Sequence, residues 1–244
     1  DMALSYGTLP RVVTTFLEGK VDDVRRQLKA YGTIYIKEEV QVEALTRKVS
    51  AFQRFLSVAA QMNGETIEYA SVSRDSAVPM STVKEYFSIL EDTLLGDFLW
   101  PWDRSERKKA RPKFYFFDCG VVRALQNRLI DPPTPQEKGF LFETFFYNEL
   151  KRLRDYHEKP YELSFWREGT NEIDIFVTGP RGPIMAFECK TSTETISDAT
   201  HTAFRKRFPK PPLFVVSLKD AHPRKLDNGV VVLPWRQALD VFLE

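Results

Sequence analysis

Apolar positions recur at helical spacing in the first part of the chain. The stretches Leu17 to Tyr31 and Val40 to Met62 repeat apolar residues at intervals of three and four, which is typical of amphipathic helices. A shorter helical segment, Ala70 to Ser76, precedes a helix predicted from Ser81 to Leu90 with Ser81 as its N-cap. Two helices separated by so short a turn indicate a helix-turn-helix.

Two strand patterns follow this helix-turn-helix. Leu94 to Trp102 and Lys113 to Phe117 are predicted strands, and a polar, basic loop joins them. A helix-turn-helix followed by a hairpin predicts a winged helix. We assign it to residues 63–130, after a helical tail over residues 1–62.

Residues 131–244 begin with a proline cluster and then alternate between helix and strand patterns. Pro132, Pro133 and Pro135 can continue neither a helix nor a central strand, so a domain boundary is predicted there. The order beyond it, αβββαββα, predicts an α/β domain with a mixed sheet. Its predicted helices are Gly139 to Arg154, Ile196 to Phe208 and Trp235 to Leu243; its predicted strands are Leu163 to Trp166, Glu172 to Val177, Pro183 to Lys190, Leu213 to Ser217 and Val230 to Leu233.

Composition narrows the classes of function. With 35 basic against 34 acidic residues the chain is no polycation, so any nucleic-acid contact has to be a local patch. Cys119 and Cys189 lie in apolar runs, as reduced thiols of a cytoplasmic protein do, and the three histidines show no zinc-site spacing. No apolar run approaches the roughly 20 residues of a membrane span, and no P-loop sequence occurs. We therefore expect no membrane and no ATP binding by this chain.

Strand alternation brings charged residues together in the α/β domain. Glu172 and Asp174 share one face of their strand, and Glu188 and Lys190 share one face of the next. The connection between these strands has hairpin length, so we expect them to be antiparallel neighbours. Two carboxylates and an ammonium thereby converge on one face, with Glu172 at the rim.

This arrangement favours a metal site. Burying charge costs several kcal/mol per ion unless the charge is paired or bound to a metal. Asp174 and Glu188 offer the hard oxygen ligands that suit Mg or Mn, and Lys190 lies close enough to hold or deprotonate a water. The alternative is a surface ion pair, because Glu-x-Lys alone is common. Glu143, in the preceding helix, is either a further site residue or a solvent-facing one.

Basic residues indicate where DNA would contact the chain. The loop from Asp103 to Lys113 carries six basic and two acidic residues, which contact phosphates or form a solvated turn. The helix from Ser81 has no Arg, Asn or Gln for a bidentate base contact, so binding there would not be sequence-selective. Basic residues near Arg207 form a second phosphate patch or compensate a helix dipole, and the four tryptophans are interpreted as packing anchors. The candidate DNA contacts are Lys84, Lys108, Lys109 and Arg111.

These motifs resemble those of known families. The helix with Glu143, the Asp174 strand and Glu188-Cys189-Lys190 look like the D…(D/E)-x-K pattern of the PD-(D/E)-x-K nuclease superfamily. The whole chain resembles the C-terminal part of a family of prokaryotic AAA-type ATPases, in which a P-loop ATPase domain precedes a winged helix and a restriction-endonuclease-like domain of unknown function. The matching stretches are Tyr6 to Pro10, Tyr86 to Thr93, Pro112 to Gly120, Gly139 to Leu150, Phe165 to Arg167 and Glu172 to Asp174.

The resemblance carries expectations about the site. It implies that Asp174 and Glu188 are metal ligands, that Lys190 orients a water and that Glu143 is a helix-borne accessory acid. It also implies a restriction-endonuclease-like fold for residues 131–244. Where the superfamily motif has Pro before Asp, this chain has Ile173.

Two hypotheses of function follow. The first is a Mg- or Mn-dependent endonuclease domain acting on DNA, joined to a winged helix that contacts DNA. The second is a non-catalytic module that binds nucleic acid or a protein partner. In both, the ATPase core is absent and residues 1–35 resemble only its C-terminal tail, so the chain is expected to be a fragment under the control of that ATPase.

Overall fold

A computed structural model describes residues 1–32, 49–102, 111–193 and 195–244. The chain divides into two compact units. Unit 1 comprises Asp1–Phe98 and Pro112–Phe145, and unit 2 comprises Leu99–Arg111 and Phe146–Glu244. This division falls within the helix that follows the proline cluster, and the domain bounds 1–62, 63–130 and 131–244 stay predictions.

Unit 1 is mainly helical, with one small sheet. Its helices are α1 (Met2–Tyr6), α2 (Pro10–Leu17), α3 (Val21–Ala30), α4 (Val49–Gln61), α5 (Tyr69–Ser76), α6 (Met80–Asp92), α7 (Cys119–Leu125) and the first part of α8 (Pro135–Tyr156). Its two-stranded sheet pairs β1 (Gly96–Leu99) with β2 (Lys113–Phe116).

The helices and strands of unit 1 follow one another in the predicted order. Helices lie at α3, α4 and α6, and α5, α6 and the β1–β2 sheet follow one another as expected. Residues 40–48 of the predicted second helix and the loop 103–110 lie outside the described residues. Ser81 as N-cap is wrong: Pro79 holds that position with φ −55°, and α6 begins at Met80 without a side-chain cap. The fixed φ of proline suits the chain to enter a helix here.

Asp118 joins two segments of unit 1 that are 110 residues apart in sequence. It caps α7 with one carboxylate oxygen, and the other accepts a hydrogen bond from the Thr8 amide at 2.6 Å. Gly7 adopts φ 77°, and a Cβ there would lie 2.0 Å from Asp118 Oδ1. Gly120 is equally tight, because its Cβ would lie 2.2 Å from the Tyr6 carbonyl oxygen. The two stretches therefore meet with no room for a side chain.

A capping box begins α8. The Thr134 amide donates to Glu137 Oε2 at 2.9 Å, the Glu137 amide donates to the Thr134 hydroxyl at 3.3 Å, and Arg128 pairs with Glu137 at 2.9 Å. Burial acts to raise the pKa of Glu137, but the hydrogen bonds from Thr134 and Arg128 lower it, and the net pKa is below its ordinary value. The ionised form of Glu137 therefore stabilises the folded chain.

Unit 2 is built on a six-stranded mixed sheet in the order β3-β4-β5-β6-β8-β7. The strands β3, β4 and β5 form an antiparallel meander, and β5, β6 and β8 are parallel. The strands are β3 (Glu162–Glu168), β4 (Asn171–Gly179), β5 (Gly182–Lys190), β6 (Leu213–Ser217), β7 (Arg224–Lys225) and β8 (Val231–Pro234); the helices are the end of α8, α9 (Asp198–Arg207) and α10 (Trp235–Leu243).

The predicted α/β class and mixed sheet are confirmed in unit 2. The observed order differs from αβββαββα only by the two-residue strand β7. One face of the sheet packs on α9, where Phe176 lies 5.6 Å from the Phe204 ring, and the other packs on α8, where Phe187 lies 5.4 Å from Phe146. None of the helices in the described part of the chain has the length and apolarity to cross a membrane.

A Gly7→Ala substitution tests the packing around Asp118. Gly19 has nearly the same positive φ, 76°, but open space around it, so Gly19→Ala introduces backbone strain alone. We expect Gly19→Ala to lower the free energy of unfolding by about 1 kcal/mol and Gly7→Ala by about 1–3 kcal/mol more, as overpacking does. Urea denaturation measures both, and equal losses would rule out the steric contact.

Glu137→Gln tests the capping box through its pH dependence. Because the folded pKa is lowered, the stabilisation is present above the ordinary pKa of 4.5 and disappears as the pH falls through the folded value. We expect the variant to lose about 0.5–1 kcal/mol at pH 7 and the difference from wild type to close at low pH. Exposed Glu168, changed to Gln, is the control, and a difference that persists at low pH contradicts the ionised cap.

Candidate metal centre on the β4–β5 hairpin

The pairing of β4 with β5 sets the geometry of the candidate site. Ile175 lies opposite Phe187 and Phe176 opposite Ala186, so the same register brings Asp174 opposite Glu188. Ile173 and Phe176 both pack in the core cluster beside α9, because the register of β4 with β3 shifts between them, so strict alternation along β4 breaks next to Asp174. The predicted antiparallel hairpin is confirmed.

Hydrogen bonds hold both carboxylates in place. Asp174 Oδ2 accepts a hydrogen bond of 2.8 Å from the Cys189 amide, across the two strands. Glu188 Oε1 lies 2.9 Å from Lys190 Nζ, and the two side chains are 11% and 28% exposed. The Cys189 amide is a positioning group that sequence reasoning missed, because a backbone donor leaves no signal in residue types.

The electrostatics of Lys190 reflect both carboxylates. Burial acts to lower the pKa of Lys190, but the charge and hydrogen bond of Glu188, and then the charge of Asp174, raise it, and the net pKa is above its ordinary value. At neutral pH the side chain is an ammonium and a hydrogen-bond donor. The structure thus brings Asp174, Glu188 and Lys190 together, as the sequence predicts.

The surroundings decide which cation would fit. Ile173, Ile175 and Phe187 are fully buried beside the site, so the charges lie next to an apolar core. Within the described ranges no group of three or more His, Cys, Asp and Glu residues could hold a metal ion, so this site offers two carboxylates. Mg²⁺ is commonly held by one or two carboxylates while it keeps several waters. The donor set fits Mg²⁺ or Mn²⁺, and the metal itself stays a prediction.

Glu143 lies in unit 1, in another environment. It is 9% exposed, and its Oε1 accepts hydrogen bonds from Lys113 Nζ at 2.7 Å and from the Tyr115 hydroxyl. Lys113 is itself only 4% exposed. The sequence signal for this ion pair was a single charged residue, Lys113, at the start of the otherwise apolar strand from Lys113 to Phe116. The role of Glu143 as an accessory acid stays a prediction.

Glu172 lies at the edge of the β3–β4 pair. Its carboxylate forms an ion pair with Arg167, its register partner on β3. This pairing agrees with a place at the rim rather than among the metal ligands. Glu172 is therefore a matched control for Asp174 on the same strand.

The candidate DNA contacts are spread over unit 1 and the segment before β2. Lys84 lies on the exposed side of α6, with Nζ 5.4 Å from the centre of the Tyr69 ring. Glu85, Glu91 and Asp92 are also exposed on α6, so its surface is not positive. Exposed Arg111 precedes β2, whereas Lys108 and Lys109 fall outside the described residues. Contact of these residues with DNA stays a prediction.

Two family models match the chain. The model described as domain of unknown function (DUF8612) matches residues 1–130, and the one described as domain of unknown function (DUF4143) matches residues 138–238. The second domain is found in AAA-ATPase-associated proteins, which agrees in part with the resemblance drawn from the sequence. No curated protein and no solved structure matches the chain.

Replacing Glu143 distinguishes a structural role from a catalytic one. Glu143→Ala leaves the Lys113 ammonium buried without this carboxylate, so we expect the free energy of unfolding to fall by about 3 kcal/mol or more. Adding Lys113→Met should recover part of that loss, and urea denaturation of the single and double variants measures the coupling. A Glu143→Ala protein of unchanged stability would contradict the buried ion pair.

Proposed function

The chain belongs to the family of the domain of unknown function (DUF8612), and we propose that its unit 2 is a divalent-metal-dependent nuclease acting on DNA. The observation that carries the proposal is the β4–β5 register, which sets Asp174 opposite Glu188 with Lys190 beside them. The proposal includes a restriction-endonuclease-like fold for unit 2, a winged helix in unit 1 and an origin as the C-terminal part of an AAA-type ATPase. The match to a domain of AAA-ATPase-associated proteins supports that origin.

The residues of the hairpin divide the chemistry among them. Mg²⁺ or Mn²⁺ held by Asp174 and Glu188 would supply Lewis-acid activation of the phosphodiester. Asp174 is set in advance by the Cys189 amide, so little reorganisation is needed to present its carboxylate. Lys190 is placed to orient the attacking water and to stabilise negative charge on the phosphate oxygens.

Contacts with the DNA backbone would come from basic residues outside the hairpin sequence. Arg111, Lys108 and Lys109 belong to the basic segment before β2, and Lys84 lies on α6. Phosphate contacts position the strand without reading its sequence. The acidic residues of α6 make Lys84 the weakest of these contacts.

The second candidate is a non-catalytic module that binds nucleic acid or a protein partner. The observation that favours it is the set of hydrogen bonds within the hairpin, because Glu188 is bonded to Lys190 and Asp174 to the Cys189 amide. A structural ion pair needs no more than this. The two candidates differ in whether a divalent cation displaces part of this bonding.

Cleavage of supercoiled plasmid DNA tests the nuclease. We expect nicking by the wild-type chain with Mg²⁺ or Mn²⁺, and a loss of at least about 100-fold in Asp174→Ala and Lys190→Ala. Glu172→Ala, a carboxylate lost from the same strand, should retain the activity. Titration with Mn²⁺ followed by calorimetry measures cation binding independently, and Asp174→Ala should abolish it.

The candidates give opposite results in these measurements. Nicking that is equal in wild type and Asp174→Ala would come from a contaminant and would reject the proposal. Absence of both nicking and Mn²⁺ binding in the wild type would favour the non-catalytic module.

A further inference from the structure

A cavity in unit 2, away from the carboxylates, combines an aromatic ring, a guanidinium and a carboxylate. Its volume is about 350 Å³, and it opens beside the turn between β4 and β5. The lining residues are Trp102, Glu162, Thr178, Gly179, Gly182, Pro183 and Arg207. We infer that this cavity binds an unpaired nucleobase of a single-stranded DNA segment. The inference rests on the proposed function and names the form of DNA that unit 2 takes.

The indole of Trp102 is fixed as a wall of the cavity. Its ring packs edge-on against Phe208 at 4.9 Å and against Phe176 at 5.8 Å, and its amide donates to the Phe165 carbonyl at 2.8 Å. Trp102 is nevertheless only partly buried, so part of its surface is accessible to a ligand. A rigid, partly exposed indole is a platform on which a base stacks at low entropic cost.

Arg207 adds positive charge beside this platform. Its guanidinium lies 5.8 Å from the Trp102 ring centre, at the end of α9, where Lys206 is also exposed. Arg205 is engaged differently, because it donates to the Pro211 carbonyl at 2.6 Å. Arg207 and Lys206 are therefore the basic side chains of α9 that are placed to contact a phosphate next to a stacked base.

The remaining walls favour a base over an apolar ligand. The Glu162 carboxylate can accept a hydrogen bond from an exocyclic amino group, as carboxylates do from cytosine N4. Gly182 adopts φ 113°, and a Cβ there would meet no atom within 4 Å, so the turn leaves room beside the ring. Stacking needs an unpaired base, since a duplex keeps its bases on each other.

The cavity and the carboxylate pair both lie along β4. Thr178 lines the cavity, Phe176 packs on Trp102, and Asp174 lies four residues before Thr178 on the same strand. Four residues of strand span about 13 Å. One strand of DNA can therefore stack a base on Trp102 and pass the hairpin carboxylates a few nucleotides away.

Fluorescence anisotropy with a labelled twelve-residue oligo-dC tests the inference in EDTA, where no cleavage occurs. We expect the wild type to bind oligo-dC more tightly than oligo-dT or a twelve-base-pair duplex. Trp102→Ala should weaken oligo-dC binding about 5- to 150-fold, the range for loss of one base stack. Arg207→Ala should weaken binding and reduce the slope of log affinity against log salt by about 0.7.

Unit 2 offers a matched control for this pair. Arg236 lies 5.0 Å from the Trp235 ring centre and is exposed, so Arg236→Ala removes the same kind of contact elsewhere. It should leave oligo-dC affinity within twofold of wild type. Arg207 is exposed, so its variant should fold even if Trp102→Ala does not, and thermal melting checks both.

Three results would overturn the inference. Equal effects of Arg207→Ala and Arg236→Ala, or equal affinity for duplex and single strand, would overturn the inference. If free dCMP displaced the labelled oligonucleotide at a lower concentration than unlabelled oligo-dC does, the cavity would bind a free nucleotide instead of a DNA segment. A wild-type chain that fails to nick plasmid DNA but binds oligo-dC in a Trp102-dependent way would separate the two proposals.

Discussion

The register between β4 and β5 is the constraint on which the rest of unit 2 depends. A slip of one residue would turn Phe176 away from α9 and take Asp174 from its place opposite Glu188. Ile173, Ile175 and Phe187 are fully buried, and burying each such side chain contributes about 1.5–3 kcal/mol, so the slipped register is strongly disfavoured. The core that forms the sheet therefore also fixes where the two carboxylates lie.

Local patterns were sufficient to predict this hairpin. A period of two over Glu172 to Val177, and again before Lys190, predicts the two strands, but the irregularity that packs both Ile173 and Phe176 beside α9 has no signal in this period. The connection from Gly179 to Gly182 is short enough that the two strands have to pair with each other. Asp174, Glu188 and Lys190 could be predicted together for this reason, and the Cys189 amide that orients Asp174 also had no sequence signal.

Long-range contacts set the limit of prediction. The cap of α7 depends on Asp118, whose second partner, Thr8, is 110 residues away, so no local pattern announces it. Glu143 sits on an amphipathic helix, where solvent, a site or a buried partner all fit the periodicity. Its bonds to Lys113 and Tyr115 are decided by tertiary packing. The strand β7 exists only through its pairing with β8, since two residues carry no period.

In the proposed nuclease, charge balance at the hairpin would link the cation to the DNA. Two carboxylates and one ammonium leave one net negative charge beside an apolar core, and this charge repels a phosphate. A divalent cation would reverse the sign, so a phosphodiester is attracted to the hairpin only together with the metal. A module that binds nucleic acid without metal would have to use another surface. The end of α9, with Lys206 and Arg207, has the charge for that.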